Sequence, residues 1–260
     1  MKNSEKVNQI LSWYQHENNN VQKNIERLLN SGYLGGTGKL VILPVDQGFE
    51  HGPSKSFAPN TEAYDPDYHF NFAIEAGCNA YAAPLGFLEH GAKRFSEKLP
   101  LILKLNNSDS LFSGDPTQIM TSSVDDAVRL GCVAVGFSIY PGSDSSPKMY
   151  EELRKITFET SNRYSFDDGK GEIGFISSIS NPFCDNCTRA RITADGKLVT
   201  CLFANKGMNL KSMLRSKKSN EYITSEIINM WKLRDDKYSL ERSTSKIEVK
   251  NKIEMFQTGG

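Results

Sequence analysis

Four short apolar runs, separated by long intervals, dominate the first 140 positions. They lie at residues 40–45, 80–84, 101–105 and 132–137, and each is nearly continuous rather than alternating. Strands that are buried on both faces of a sheet have this pattern, whereas half-exposed strands alternate between apolar and polar positions. The pattern therefore predicts four strands covered on both faces.

Helical periodicity fills the intervals between these runs. Residues 68–76 and 124–130 carry it, and each stretch stops at a glycine, Gly77 or Gly131. Residues 5–30 predict a packing pair of helices with a polar break at residues 18–20. Strands that alternate with helices indicate parallel βα units. The expected fold class is α/β: a partial (βα) TIM-type barrel of about four βα units.

The alternation of strands and helices ends after a last helical stretch at residues 150–156. Residues 157–180 are rich in Ser, Asp, Gly and Asn, and no further βα repeat follows. We therefore predict two domains: residues 1–156 as the partial barrel, and residues 157–260 as a small α+β segment. The uncertainty of such a boundary is a few residues, so it is expected at about 156–162.

Charge and composition narrow the expected partners and location. The chain has 31 basic and 31 acidic side chains, so nothing in its net charge indicates a nucleic acid or an anionic membrane. No apolar run has the length of a membrane span, and no apolar signal core follows the polar first residues. We expect a cytoplasmic protein, in which five cysteines indicate metal binding or catalysis rather than disulfides.

Three of those cysteines have metal-ligand spacing. Cys184, Cys187 and Cys201 form C-x2-C-x13-C, with the third returning across a turn at residues 194–196. All four histidines lie at or before position 90, so no imidazole completes a four-ligand zinc site here. Three thiolates favour one [4Fe–4S] cluster with an open iron. A zinc site and three buried structural cysteines are the alternatives.

Two arginines follow the C-x2-C pair at once. Arg189 and Arg191 are two positions apart, so on an extended segment they share a face. Paired guanidinium groups beside an open iron suit a phosphorylated small molecule. The alternative is an ordinary pair of surface arginines.

Candidate catalytic residues also lie at the predicted strand ends of the first domain. Asp46 and His51 follow the first strand, where barrel enzymes carry their chemistry. Lys104 lies within the third strand, where desolvation is expected to lower its pKa, as in Schiff-base lysines. The residues alone leave two roles open for Lys104: a nucleophile, or an ion-pair partner for Asp46.

The second domain resembles a known family. Its motifs are DGKGEIGFI at 168–176, SNPFC at 180–184, CTRARITADGKL at 187–198, WKLRDDKYSLER at 231–242 and MFQTGG at 255–260. They are similar to the C-terminal part of the GTP 3′,8-cyclases of molybdenum cofactor biosynthesis. The resemblance implies that Cys184, Cys187 and Cys201 hold a cluster whose open iron meets GTP. It also implies that the stretch Arg189, Ala190, Arg191 contacts GTP, and that Gly259 and Gly260 form a tail that enters the active site.

One part of that family's apparatus has no counterpart in this sequence. The family generates a radical from S-adenosylmethionine at a C-x3-C-x2-C motif. The two remaining cysteines, Cys78 and Cys132, lie 54 positions apart and cannot form it. The S-adenosylmethionine site is therefore expected to be absent, and the radical step is not expected from this chain alone.

The first domain resembles archaeal-type class I fructose-bisphosphate aldolases. The matching stretches are VILPVDQGFEHGP at 41–53, EAGCNA at 75–80, LILKLNNSDS at 101–110 and VGFSIYPGS at 135–143. The resemblance implies an active-site role for Asp46, but it places the Schiff-base lysine on a sixth strand, so Lys104 is not the nucleophile. The family's aromatic residues of the fifth strand and its glycine-rich phosphate loops also have no counterpart here.

Both resemblances indicate a lyase, and neither site is complete. We expect a chimeric chain whose most complete site is the iron–sulfur and GTP-binding segment. The alternatives are a Schiff-base fructose-bisphosphate aldolase impaired by its missing strands, and a non-enzymatic fusion or truncated product. A half barrel exposes its outer strands, which favours a homo-oligomer that joins through those edges.

Overall fold

A computed structural model describes residues 3–108, 117–140, 142–162, 188–201, 204 and 206–234. The chain divides into two compact units, Met1–Ile176 and Ser177–Gly260. Each unit is described by itself. The predicted domain boundary near residue 156 stays a prediction.

Helices and strands alternate along the first unit. The helices are α1 (Glu5–Ser12), α2 (Asn19–Asn30), α3 (Gln47–Glu50), α4 (Pro53–Phe57), α5 (Pro66–Glu75), α6 (Leu85–Phe95), α7 (Val124–Arg129) and α8 (Ser146–Asn162), with a 3-10 helix at Thr61–Tyr64. The strands are β1 (Ile42–Pro44), β2 (Ala80–Pro84), β3 (Leu101–Lys104), β4 (Asn106–Asn107), β5 (Ile119–Met120) and β6 (Ala134–Gly136). A helix follows each of β1, β2, β3 and β6 along the chain. The four predicted βα units are therefore confirmed.

These four strands form one parallel sheet in the order β1-β2-β3-β6. Ile42 pairs with Ala80, Tyr81 with Leu101, and Ile102 with Ala134. The α/β class with a parallel sheet is confirmed. Within the part of the chain that the structure describes, the sheet does not close into a barrel.

One face of this sheet packs against helices. Alternation along the strands places Leu43, Tyr81, Leu101 and Leu103 on that face, where they join a core with residues of α5, α6 and α7. Tyr81 is fully buried and meets the ring of Phe70 edge to face, with centroids 4.8 Å apart. This face holds the main hydrophobic core of the unit.

The expectation that all four strands are buried on both faces is wrong for β1. Ile42 is 38% exposed and Val41, just before the strand, is 45% exposed. The reason is position: β1 is an edge strand, and none of the described elements covers its second face. The central strands β2 and β3 follow the expectation much more closely.

Two helix-to-strand connections have the same backbone hydrogen bonds. At the end of α5, the Gly77 N–H bonds to the Ile74 carbonyl and the Cys78 N–H to the Ala73 carbonyl. At the end of α7, Gly131 bonds to Val128 and Cys132 to Ala127 in the same way. Both glycines have positive φ, +63° and +68°, which is the Schellman arrangement predicted by the two glycine stops.

The second unit contains a small antiparallel sheet and two helices. The strands β7 (Arg191–Ile192), β8 (Lys197–Val199) and β9 (Met208–Asn209) lie in that order, and α9 (Leu210–Arg215) and α10 (Asn220–Lys232) follow. The turn between β7 and β8 falls at the predicted positions, with Gly196 at φ +83°. Among the described helices of either unit, none has the length and apolarity to cross a membrane.

Candidate functional site

Polar side chains collect at the carboxyl ends of the parallel strands in the first unit. Asp46 follows β1, Lys104 is the last residue of β3, and Ser138 follows β6. Because parallel strands all end at the same edge of the sheet, these positions come together. This is the edge at which the sequence predicts candidate catalytic residues.

Lys104 is paired with two buried carboxylates. Its Nζ donates to Asp46 Oδ2 and to Glu50 Oε1. Asp46 and Glu50 are 4% and 5% exposed, and the Lys104 side chain is 14% exposed. The backbone N–H of Ser108 donates a further hydrogen bond of 3.0 Å to Glu50 Oε1. Lys104, Asp46 and Glu50, here called the lysine cluster, hold two separate chain segments together, residues 46–50 and residues 104–108.

The pKa of Lys104 is raised, opposite to the expected direction. Burial alone would lower the pKa, because it disfavours the charged ammonium. The attraction of Asp46 and Glu50, together with their hydrogen bonds, outweighs that effect. The two carboxylates therefore favour the charged form of the lysine, which disfavours its use as a free amine. Of the two roles predicted for Lys104, the geometry supports the partner of Asp46.

The lysine cluster retains an unsatisfied acceptor. One ammonium faces two carboxylates, so the group carries one net negative charge. Asp46 Oδ1 is buried and has no hydrogen-bond partner among the described residues. Such an atom can accept a hydrogen bond from a donor that enters the edge of the sheet. The arrangement can bind or orient a donor, but it offers no free amine.

Asn106 fixes the neighbouring strand end. Its Nδ2 donates to the Ser138 carbonyl at 2.7 Å, and the Ser138 N–H donates to its Oδ1 at 2.8 Å. Asn106 is fully buried, and Ser138 is half-buried. The end of β3 is thereby tied to the segment that follows β6.

Sequence reasoning missed Glu50 as a member of this site. Glu50 lies four residues after Asp46, at the end of the short helix α3, and its N–H bonds to the Asp46 carbonyl. Positions four apart share one face of a helix, which was the available signal. His51, the other candidate in this loop, is half-buried at the end of α3.

A second polar group lies on the outer surface of the first unit. Oxygen and nitrogen atoms of Asp65, Asp67 and His90 lie within 4.8 Å of one another, a spacing that could suit a metal ion. Asp67, however, is bound by both guanidinium nitrogens of Arg94, and Asp65 caps α5. These contacts account for the group as a helix cap with an ion pair.

In the second unit, the β7–β8 hairpin carries the described part of the predicted cluster site. Arg191 pairs with Val199 across the hairpin. Arg189 lies two residues before Arg191, and Cys201 lies two residues after Val199. Because the two strands are antiparallel, both residues lie at the same end of the hairpin, opposite the turn. Arg189 and Ala190 are exposed, and Arg191 and Cys201 are half-buried. The hairpin thus brings the predicted arginines and the third cysteine to one end.

The other members of the predicted site lie outside the described residues. These are Cys184, Cys187, Gly259 and Gly260. Their assignment as cluster ligands and as the active-site tail stays a prediction.

The two cysteines of the first unit have the character of core residues. Cys78 and Cys132 are both buried, and each occupies the position after a Schellman glycine. Burial raises the pKa of the Cys78 thiol, and it raises the pKa of Cys132 to about 12. Protonated thiols are poor metal ligands, so these residues do not compete for a cluster.

Comparison with known families separates the chain into two matched stretches. Residues 40–162 match the DeoC/LacD family of aldolases, and residues 145–240 match the family described as Molybdenum Cofactor Synthesis C. Each match covers less than half of the chain. The two overlap at residues 145–162, where the predicted boundary falls.

Individual relatives repeat this division. A probable fructose-bisphosphate aldolase class 1 of Chlamydia trachomatis is 47% identical over 132 residues, which are 50% of this chain and 37% of the relative. A GTP 3′,8-cyclase of a Synechococcus species is 44% identical over 101 residues, which are 39% of this chain and 29% of the relative. The crystal structure of an archaeal fructose 1,6-bisphosphate aldolase is 39% identical, covers 52% of this chain and 51% of its own, and superimposes with a TM-score of 0.46.

The chain therefore spans well under half the length of either curated relative. The two resemblances carried by its motifs are confirmed: one stretch is similar to class 1 fructose-bisphosphate aldolases, and another to GTP 3′,8-cyclases.

Proposed function

We propose that residues 157–260 bind one [4Fe–4S] cluster and GTP, in the manner of the GTP 3′,8-cyclases, without performing the radical step alone. The observation that carries this proposal is the C-x2-C-x13-C set, which lies within residues 145–240, the stretch that matches the Molybdenum Cofactor Synthesis C family. In this proposal Cys184, Cys187 and Cys201 are the ligands.

The hairpin of the second unit fits such a group. Cys201 and Arg189 lie at the same end of the hairpin, and Cys201 is half-buried rather than enclosed in a core. A cluster held by three thiolates keeps one iron site open to a further ligand. Arg189 and Arg191 would bind the phosphates of GTP through charge-assisted hydrogen bonds, and Gly259 and Gly260 would approach without side chains.

Anaerobic reconstitution with iron and sulfide tests the proposal. We expect about four iron atoms per chain in the wild type, because a [4Fe–4S] cluster needs only three protein ligands. Cys187→Ser and Cys201→Ser are expected to lose most of this iron. On the reduced wild type, GTP is expected to change the electron paramagnetic resonance spectrum, and the change should be lost in the double variant Arg189→Ala, Arg191→Ala.

Cys132→Ala is the matched control, since Cys132 is buried in the first unit and is not a proposed ligand. It should keep the wild-type iron content. A wild-type content well below four, or an unchanged content in Cys187→Ser, would refute the cluster. If the wild type holds about four iron atoms but GTP leaves its electron paramagnetic resonance spectrum unchanged, the proposed GTP binding is refuted and the cluster is not.

The second candidate function is Schiff-base cleavage of fructose 1,6-bisphosphate by the first unit. The similarity to class 1 aldolases favours it, and Asp46 lies at the strand end where that family places an active-site aspartate. The absence of a counterpart to that family's sixth-strand lysine argues against it, and Lys104 is paired with two carboxylates instead.

Borohydride reduction in the presence of dihydroxyacetone phosphate distinguishes these views. We expect no covalent adduct, because the amine of Lys104 stays charged between two carboxylates. Intact-mass and peptide mass spectrometry provide the measurement, with a complete class 1 aldolase as the positive control. An adduct mapped to Lys104 would establish this lysine as the nucleophile after all.

A further inference from the structure

We propose that two copies of this chain associate through the outer strands of their parallel sheets, pairing β6 of one copy with β1 of the other to form an eight-stranded barrel. This inference concerns the first unit and does not rest on the proposed function of residues 157–260. It goes beyond a general tendency to oligomerise, because it specifies the edges, their direction and the symmetry.

Part of the second face of the sheet is apolar and exposed. Alternation places Ile42, Pro44, Ala82 and Ile102 on the face opposite the main core, and all four are at least partly exposed. Toward β6 the face is better covered, because Leu28 of α2 packs against Ala80, Ala134 and Ile102. The exposed part of the face is thus an apolar strip along β1 and β2. Parallel sheets are normally covered on both faces, so this strip is suited to a contact.

The edge of the sheet at β1 is also apolar and exposed. Leu40, Val41 and Ile42 are 37%, 45% and 38% exposed, so three consecutive large apolar residues border the sheet. Exposed apolar edges without charges or proline breaks tend to pair with further strands. Pro44, the last residue of β1, offers no N–H to an added strand, so pairing at this edge would use the backbone of residues 40–42. The edge therefore favours the addition of a strand.

The parallel direction of the strands favours a second copy of the chain as the partner at the edge of the sheet. All four strands are parallel, with β1 at one edge and β6 at the other. A two-fold axis along the strand direction places β6 of each copy beside β1 of the other, and every strand keeps the same direction. Four strands from each copy make eight, the number that closes with an interior filled by side chains. The described strands of the second unit are antiparallel and two or three residues long, so they do not offer the same complement.

This closure would also complete the polar edge. The lysine cluster of each copy lies at the carboxyl ends of its strands, so a barrel of two copies has two such groups around one mouth. The unsatisfied Asp46 Oδ1 of each copy would then border a shared cavity. The mouth is incomplete without the second copy.

Light scattering coupled to size-exclusion chromatography tests the stoichiometry on the full chain. We expect twice the chain mass of 29.1 kDa for the wild type at micromolar concentration. Ile42→Lys places a charge on the exposed strip, and it is expected to shift the protein to the single-chain mass with an unchanged circular dichroism spectrum. Ile119→Lys is the matched control, since Ile119 is 57% exposed on β5, which is not a strand of the four-stranded sheet, and it should stay dimeric.

A photocrosslinker at position 41 tests the geometry on a folded chain. With p-benzoylphenylalanine in place of Val41, and a mixture of nitrogen-14 and nitrogen-15 protein, we expect mixed-isotope crosslinks to residues 132–139. Crosslinks to residues 40–44 of the other copy would mean antiparallel edge pairing, and crosslinks beyond residue 177 of the same chain would mean coverage by the second unit. Either result overturns the proposal, as does a single-chain mass for the wild type.

Discussion

Replacing Lys104 with methionine is expected to lower the free energy of unfolding of the first unit by about 3–5 kcal/mol. Methionine keeps most of the length and volume of the side chain, so the change removes the charge with little change in packing. It leaves Asp46 and Glu50 buried at 4% and 5% exposure without their shared cation. Urea unfolding at pH 7.5, followed by circular dichroism, measures the loss.

Lys155→Met is the matched control for this experiment. Lys155 pairs with Glu151 one helical turn away, and its side chain is 59% exposed. Exposed pairs contribute little, so the unfolding midpoint should hardly move. If Lys104→Met unfolded at the same urea concentration as the control, the lysine cluster would not stabilise the fold.

The stabilisation by Lys104 also has a defined pH range. Its folded-state pKa is raised, so the stability it contributes is present below the ordinary lysine pKa of about 10.4 and is lost as the pH rises through the folded value. The difference between wild type and Lys104→Met should therefore shrink at strongly alkaline pH.

Asn79→Ala is expected to cost about 2–4 kcal/mol of stability, a second large effect away from any proposed chemistry. Asn79 is fully buried at the start of β2. Its Nδ2 donates to the Leu28 and Ser31 carbonyls, and its Oδ1 accepts from the Val41 N–H at 2.8 Å. One side chain thus joins the end of α2 to the segment that enters β1, and alanine would leave all three backbone groups without this partner.

The Asn79 prediction is checked by thermal and urea unfolding beside Asn8→Ala. Asn8 is an exposed position within α1, where alanine is the better helix former, so this control should be neutral or slightly stabilising. Equal behaviour of the two variants would show that the Asn79 hydrogen bonds are replaced by water at no cost.

The elements of the first unit could be predicted because their signals are local. Continuous apolar runs located β1, β2, β3 and β6, and the glycines at 77 and 131 marked the helix ends. The small β4–β5 pair was not predicted, because two-residue strands have no periodicity to detect. The exposure of β1 was missed for another reason: apolar composition shows that a strand can be covered, but not that a covering element is present.

The candidate site could likewise be predicted only where its signals are local. The position of Asp46 after the first strand followed from the barrel-like order of elements, whereas Lys104 was predicted within the third strand and is its last residue. The sign of the Lys104 pKa shift did not, since it depends on whether one or two carboxylates reach the ammonium. Glu50 decided that question through a contact across 54 residues of sequence, which no local pattern reports.

The repeated helix-to-strand joint has a consequence for how the first unit is assembled. The glycine and the buried cysteine recur in the same places at residues 77–78 and 131–132, with the same two hydrogen bonds. Each joint is closed by contacts within residues 73–78 or 127–132, so it is specified by the local sequence. The surroundings of the two glycines differ, because a Cβ at Gly77 would collide with the Tyr33 ring, whereas one at Gly131 would meet nothing within 4 Å. An added side chain is therefore opposed by backbone strain at Gly131, and by backbone strain and steric overlap together at Gly77.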